Sequence, residues 1–161
     1  MIFKVSFKET PNNPSKAVYK AGRVTNVILK GVVELPNFWH LMPPDICEWV
    51  ATQTKVELYE DMANNTLIIH SEGTAKCKEE DKYDSILGER IAESRAKYCI
   101  YKFFYGLCLR LSDYYGKIMF GNNPVAATDN KGLMGCLEKY KGMCIRESHH
   151  VGELLASKEN G

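Results

Sequence analysis

Residues 84–116, DSILGERIAESRAKYCIYKFFYGLCLRLSDYYG, decide the fold, because they are the longest part of the chain that reads as one helix. Asp84 and Ser85 are good N-cap residues, whose side-chain oxygens accept from otherwise orphaned N–H groups, and no proline follows until Pro124. A helix from this cap to near Tyr114 is predicted. Leu87, Ile91, Ser94, Tyr98, Tyr101, Tyr105 and Leu109 trace one stripe at steps of three and four, while Cys99, Phe103, Phe104 and Leu107 add apolar surface elsewhere. The second half is apolar nearly all round. It must be covered on more than one side, by the C-terminal segment folding over it or by another copy of the chain.

Upstream, the pattern changes to that of strands. Phe3, Val5 and Phe7 alternate with Lys4, Ser6 and Lys8, which predicts a half-buried strand over 2–8. TPNNPS at 10–15 is turn-forming. Val24 to Leu35 is β-branched and extended, with Gly31 expected as a bulge or as a turn between two short strands. A short helix over about 44–53 starts near the second of two prolines, and KVELY at 55–59 with TLIIH at 66–70 reads as a hairpin. Downstream, Asn122 to Pro124 mark a loop, and Leu133, Leu137, Tyr140 and Cys144 define an amphipathic helix over 132–146. Val151, Leu154 and Leu155 add one more turn before a fraying end.

The fold class is therefore α+β: an antiparallel sheet of four or five strands packed against a long central helix, with a C-terminal amphipathic helix. A chain of 161 residues suits one core, so 1–161 is read as a single domain. With 45% hydrophobic and 25% charged residues, disordered, collagen-like and coiled-coil classes are excluded. The N-terminal ten residues carry two lysines and no apolar run of signal-peptide length, and the six cysteines are expected as reduced thiols. No stretch approaches the ~20 apolar residues of a membrane span. A cytoplasmic protein without a membrane partner is expected.

The net charge of +1 conceals a gradient: residues 1–59 hold seven basic and five acidic side chains, 60–94 four and nine, and 95–161 ten and six. Glu79, Glu80, Asp81 and Asp84 sit beside the predicted helix start, where negative charge favours the helix dipole. In the basic C-terminal third, Arg95, Lys97, Lys102 and Arg110 interleave with tyrosines and are the candidate nucleic-acid-binding residues, although the charges do not gather on one helical face. His149 and His150 adjoin Cys136 and Cys144 without zinc-site spacing, so no metal is expected, and the two histidines are read as capping a helix end. Neither a P-loop nor a dinucleotide fingerprint is present, and no cofactor is expected.

Gly73 to Ala96, GTAKCKEEDKYDSILGERIAESRA, is the most distinctive run. It resembles a motif of small phage and mobile-element proteins: a strand ending in G-x-A-x-C, an acidic D-x-[FY]-D, and a helix opening G-x-x-[IL]-A-x-x-R-A. Gly73, Ala75 and Cys77 match the first part, Asp81, Tyr83 and Asp84 the second, and Gly88, Ile91, Ala92, Arg95 and Ala96 the third. The likeness implies a fold similar to the double-stranded RNA-binding domain, a three-stranded sheet with helices on one face, and an origin in a phage or other mobile element. It carries no activity with it, and the acidic helix start is expected to repel phosphate. In the residues themselves, Gly73 is expected to let the strand turn, Gly88, Ala92 and Ala96 to bring helix and sheet close, and Arg95 to find a carboxylate partner.

Three functional expectations follow. The first is a non-enzymatic interaction protein acting in the host cytoplasm, counter-defence of the anti-CRISPR type being one form. It would use Tyr98, Tyr101, Phe104 and Tyr105 to bind a protein partner or a second copy. The second is RNA or DNA binding by the basic, tyrosine-rich third. The third is a small enzyme with a cysteine or histidine beside a carboxylate.

Overall fold

The chain runs β1 (Val5–Ser6), β2 (Lys16–Ala21), β3 (Val24–Val33), α1 (Phe38–Leu41), α2 (Pro44–Ala51), β4 (Val56–Asp61), β5 (Thr66–Lys76), α3 (Ser85–Met119) and α4 (Pro124–Glu159). This is a computed structural model that describes residues 3–7, 15–79, 81–82, 84–119 and 124–159, with side chains 118–119, 124–130 and 158–159 outside the description. Among the described residues the sheet has five antiparallel strands in the order β1-β3-β5-β4, with β2 also paired to β3. The α+β class is as expected.

The alternation of β3 explains why the sheet has a helix-covered face. Val27, Leu29 and Val33 are buried, and they pair in register with Gly73, Ser71 and Leu67 of β5, which are buried too. The opposite set, Asn26, Ile28 and Lys30, pairs with Thr74, Glu72 and His70 on the face turned away from the helices. Gly31 is no bulge: Lys30, Gly31 and Val32 pair without interruption with His70, Ile69 and Ile68. Its place is set by space instead, since a Cβ there would come within 2.5 Å of Val5 Cγ2.

Gly73 likewise has another cause than the one expected. A Cβ on it would lie 1.8 Å from the Ala92 carbonyl oxygen and 2.7 Å from the Ala96 nitrogen, so the bare backbone of β5 is what lets α3 settle on the sheet. Ala92 and Ala96 are fully buried in that seam, as the small-residue row predicts. Ser71 reinforces it by donating to the Ala96 carbonyl at 2.7 Å. The predicted cap also forms: Asp84 Oδ1 accepts from the backbone N–H of Ile86 at 3.0 Å and of Leu87 at 3.1 Å.

Other boundaries move. β2 was not anticipated, because KAVYKA alternates too weakly to stand out from a turn-rich neighbourhood. β5 continues to Lys76, α3 runs past Gly116 to Met119, and the two predicted C-terminal pieces are one helix, α4. His149 and His150 therefore sit within α4 and cap no end. Within the described residues 3–7 the strand expected over 2–8 is confined to Val5–Ser6, while residues 2 and 8, positions 10–14 of the expected turn and 122–123 of the expected loop lie outside the described residues. No helix among the described residues is long and apolar enough to cross a membrane.

Candidate functional site on the outer ridge of the long helix

The aromatic half of α3 is walled in by its own chain. The sheet lies beneath it, with Leu29, Leu67 and Ile69 in the same core as Ile100, Phe104 and Leu107. On one flank α4 brings Leu133, Leu137 and Tyr140, and Tyr140 stacks on Phe104 with ring centroids 5.3 Å apart. On the other flank α2 brings Trp49, stacked on Phe103 at 5.5 Å, and Gly106 leaves the gap in which the indole lies. The C-terminal segment thus supplies cover that a second copy was the alternative for. Of the four proposed partner-binding rings, Tyr101 is 9% exposed and Phe104 0%, so neither offers a surface to a partner. Tyr98 and Tyr105 are half-buried and keep an outward edge.

What still faces outward on α3 is a ridge carrying Arg95, Tyr98, Lys102 and Arg110. At about 100° and 1.5 Å per residue, the three cations fall within roughly 80° of one another and span about 22 Å along the axis. All three are exposed, and among the described residues none makes an ion pair. Their anchors are neutral. Arg95 Nη1 donates to the Thr74 carbonyl at 2.7 Å, where a carboxylate partner had been expected. Lys102 Nζ lies 5.9 Å from the Tyr98 ring centroid, and the Arg110 guanidinium lies 4.1 Å from that of Trp49. Contacts of this kind orient a cation and leave its charge uncompensated.

Lys97, the fourth of the predicted basic residues, does not belong to the ridge. It points to the opposite side, pairs with Glu93 at 3.9 Å and sits 5.8 Å over the Phe7 ring. The basic residues of this third as a whole do not share one face, since Lys139 and Lys141 lie on α4 and Lys97 on the far side of α3, but Arg95, Lys102 and Arg110 do. Sequence reasoning missed two neighbours. Lys55, just before β4, acts together with Lys102 on the Cys99 thiol, whose pKa is raised by burial and drawn partly back by these two cations. Trp49 is the other, and its signal in the sequence was the single Gly106 opposite it.

Three of the thiols are held in their protonated form by burial. Burial pushes Cys108 up to about 12, with the adjacent Cys136 adding to the effect, and it also raises Cys99 and Cys144. That direction favours the protonated thiol, the opposite of what a nucleophile needs. His70 shares a 2.9 Å contact between its Nε2 and the Tyr59 hydroxyl on the open sheet face, and burial lowers its pKa. His150 Nδ1 lies 3.3 Å from Ser94 Oγ and 3.7 Å from the Glu147 carboxylate, an interhelical contact on the α4 surface. No group of three or more metal-ligating side chains occurs among the described residues.

Searches for similarity find no matching family model, no matching curated protein and no matching solved structure.

Proposed function

We propose that this chain is a non-enzymatic binding protein whose working surface is the outer ridge of α3, and that the partner it engages there is a polyanion, RNA or DNA. The observation that carries this reading is the row of Arg95, Lys102 and Arg110, three exposed cations held by neutral groups on one side of a rigid helix. Phosphates gain most from cations that have no carboxylate to leave, and Tyr98 and Tyr105 supply ring edges between them. The likeness of Gly73–Ala96 to phage and mobile-element proteins supports a role in the cytoplasm of a host cell, counter-defence included.

A protein partner is the second reading, favoured by Leu109 and Tyr114, which are 42% and 41% exposed beside Arg110. Fluorescence anisotropy with labelled single-stranded and duplex RNA and DNA separates the two. Binding at low salt that weakens steeply with added salt, and weakens further in Lys102→Glu and Arg110→Glu, supports the polyanion. No change in anisotropy at low salt with any of the four probes overturns it.

A further inference from the structure

A second gathering of cations lies where the end of β5 meets the first turns of α3. Arg23, Lys76, Lys82 and Arg95 line a cavity of about 60 Å³ there, more than the ~10–15 Å³ that one water needs. They come from separate parts of the chain: the β2–β3 turn, the last residue of β5, the segment before α3, and the third turn of α3. Both arginines are held in place. Arg23 Nη1 donates to the carbonyls of Lys78 at 2.8 Å and Asp81 at 2.6 Å and lies 3.4 Å from Cys77 Sγ, and Arg95 Nη1 donates to the Thr74 carbonyl at 2.7 Å. Main-chain carbonyls fix the two guanidinium planes without cancelling their charge, so little ordering remains to be done when an anion arrives.

The carboxylates of this region are placed otherwise than the acidic stretch of sequence suggested. Asp84 lines the cavity, but its Oδ1 is engaged by the N–H groups of Ile86 and Leu87. Glu79 and Asp81 are not among the lining residues, and Asp81 turns its carbonyl to Arg23. Among the described residues, four cations against one carboxylate leave the lining at +3. We propose that this cavity is a binding site for a phosphate monoester group. A phosphate monoester presents three terminal oxygens and close to two negative charges, which suits two fixed guanidinium forks and two lysines better than a carboxylate would. The site shares Arg95 with the ridge but does not rest on the ridge binding nucleic acid.

The test is an NMR titration of the full chain with inorganic phosphate, against chloride at equal ionic strength. Saturable shifts of the Cys77, Gly88 and Arg95 amides with a dissociation constant of about 1 mM or tighter, weakened about tenfold in the double variant Lys76→Gln/Lys82→Gln, support the site. Both substitutions are on exposed side chains, so the fold is retained. Lys102→Glu/Arg110→Glu must leave phosphate binding unchanged, which separates this site from the ridge. Absence of saturable shifts, or equal affinity in the Lys76/Lys82 variant, overturns the proposal. A 5′-phosphorylated trinucleotide and ribose 5-phosphate then distinguish sources within a supported site: tighter binding of the phosphorylated trinucleotide than of its 5′-hydroxyl form assigns a strand end, and binding of ribose 5-phosphate but of neither trinucleotide assigns a small phosphorylated ligand.

Discussion

The hydroxyl of Tyr140 donates to the main-chain carbonyl of Phe3 at 2.7 Å, joining α4 to the start of the sheet across almost the whole length of the chain. The two residues are fully buried, and both rings lie against Phe104, with centroids 5.3 Å and 5.9 Å from it. This contact closes α4 over the aromatic half of α3, and burial raises the Tyr140 phenol well above its usual range. Tyr140→Phe keeps the packing and leaves the buried Phe3 carbonyl only the weak Cys136 thiol at 4.0 Å, so it is expected to cost about 1–3 kcal/mol in urea unfolding. An unchanged midpoint would mean that the hydroxyl does not hold the helix down.

Gly73→Ala tests the seam between β5 and α3. The added Cβ meets backbone atoms of Ala92 and Ala96 at distances no side-chain rotation can relieve. The helix must lift from the strand, and a loss of about 3 kcal/mol or more in unfolding free energy is expected, at the upper end of overpacking costs. Gly22→Ala is the companion measurement. Its positive φ of 59° with open space around it predicts a conformational penalty alone, about 1 kcal/mol.

Thiol reactivity reports the closure of the helix pair. With its pKa pushed up to about 12 and no exposed surface, Cys108 is expected to be alkylated last of the six cysteines in the folded chain. Mass spectrometry after timed iodoacetamide treatment reads the order. If Cys108 reacts as fast in water as in urea, α3 and α4 do not stay closed on each other.

His70 makes stability depend on pH on its acid side. Burial lowers its pKa below the unfolded value of 6.5, Lys30 adds to that, and Glu57 opposes it. Above 6.5 the imidazole is neutral in both states. Below it the unfolded chain takes up the proton first, so stability falls as pH drops toward the folded-state pKa. The urea midpoint of the parent should therefore fall relative to that of His70→Gln as the pH is taken below 6.5. A constant difference between the two proteins would remove this role from His70.

Much of the architecture could be read before any coordinates. The Asp84 cap, the β-branched run from Val24 to Leu35, the 55–59 half of the hairpin and the stripe on 84–116 are local patterns that mark their elements, while the 66–70 half marks only the start of β5. The site was legible only in outline: Arg95, Lys102 and Arg110 were named, but with Lys97 among them and without Lys55, Trp49, Arg23, Lys76 or Lys82.

By themselves the residues in order determined most of the strands and helices, β2 and the short α1 excepted, because periodicity and capping act over a few neighbouring positions. Tertiary structure alone decided what covers the aromatic half of α3, since that depends on whether α4 folds back over it, which no local pattern encodes. It also decided which charges stand uncompensated. A cation's partner is set by what lies near it in space, and the Thr74 carbonyl beside Arg95 is 21 residues away along the chain.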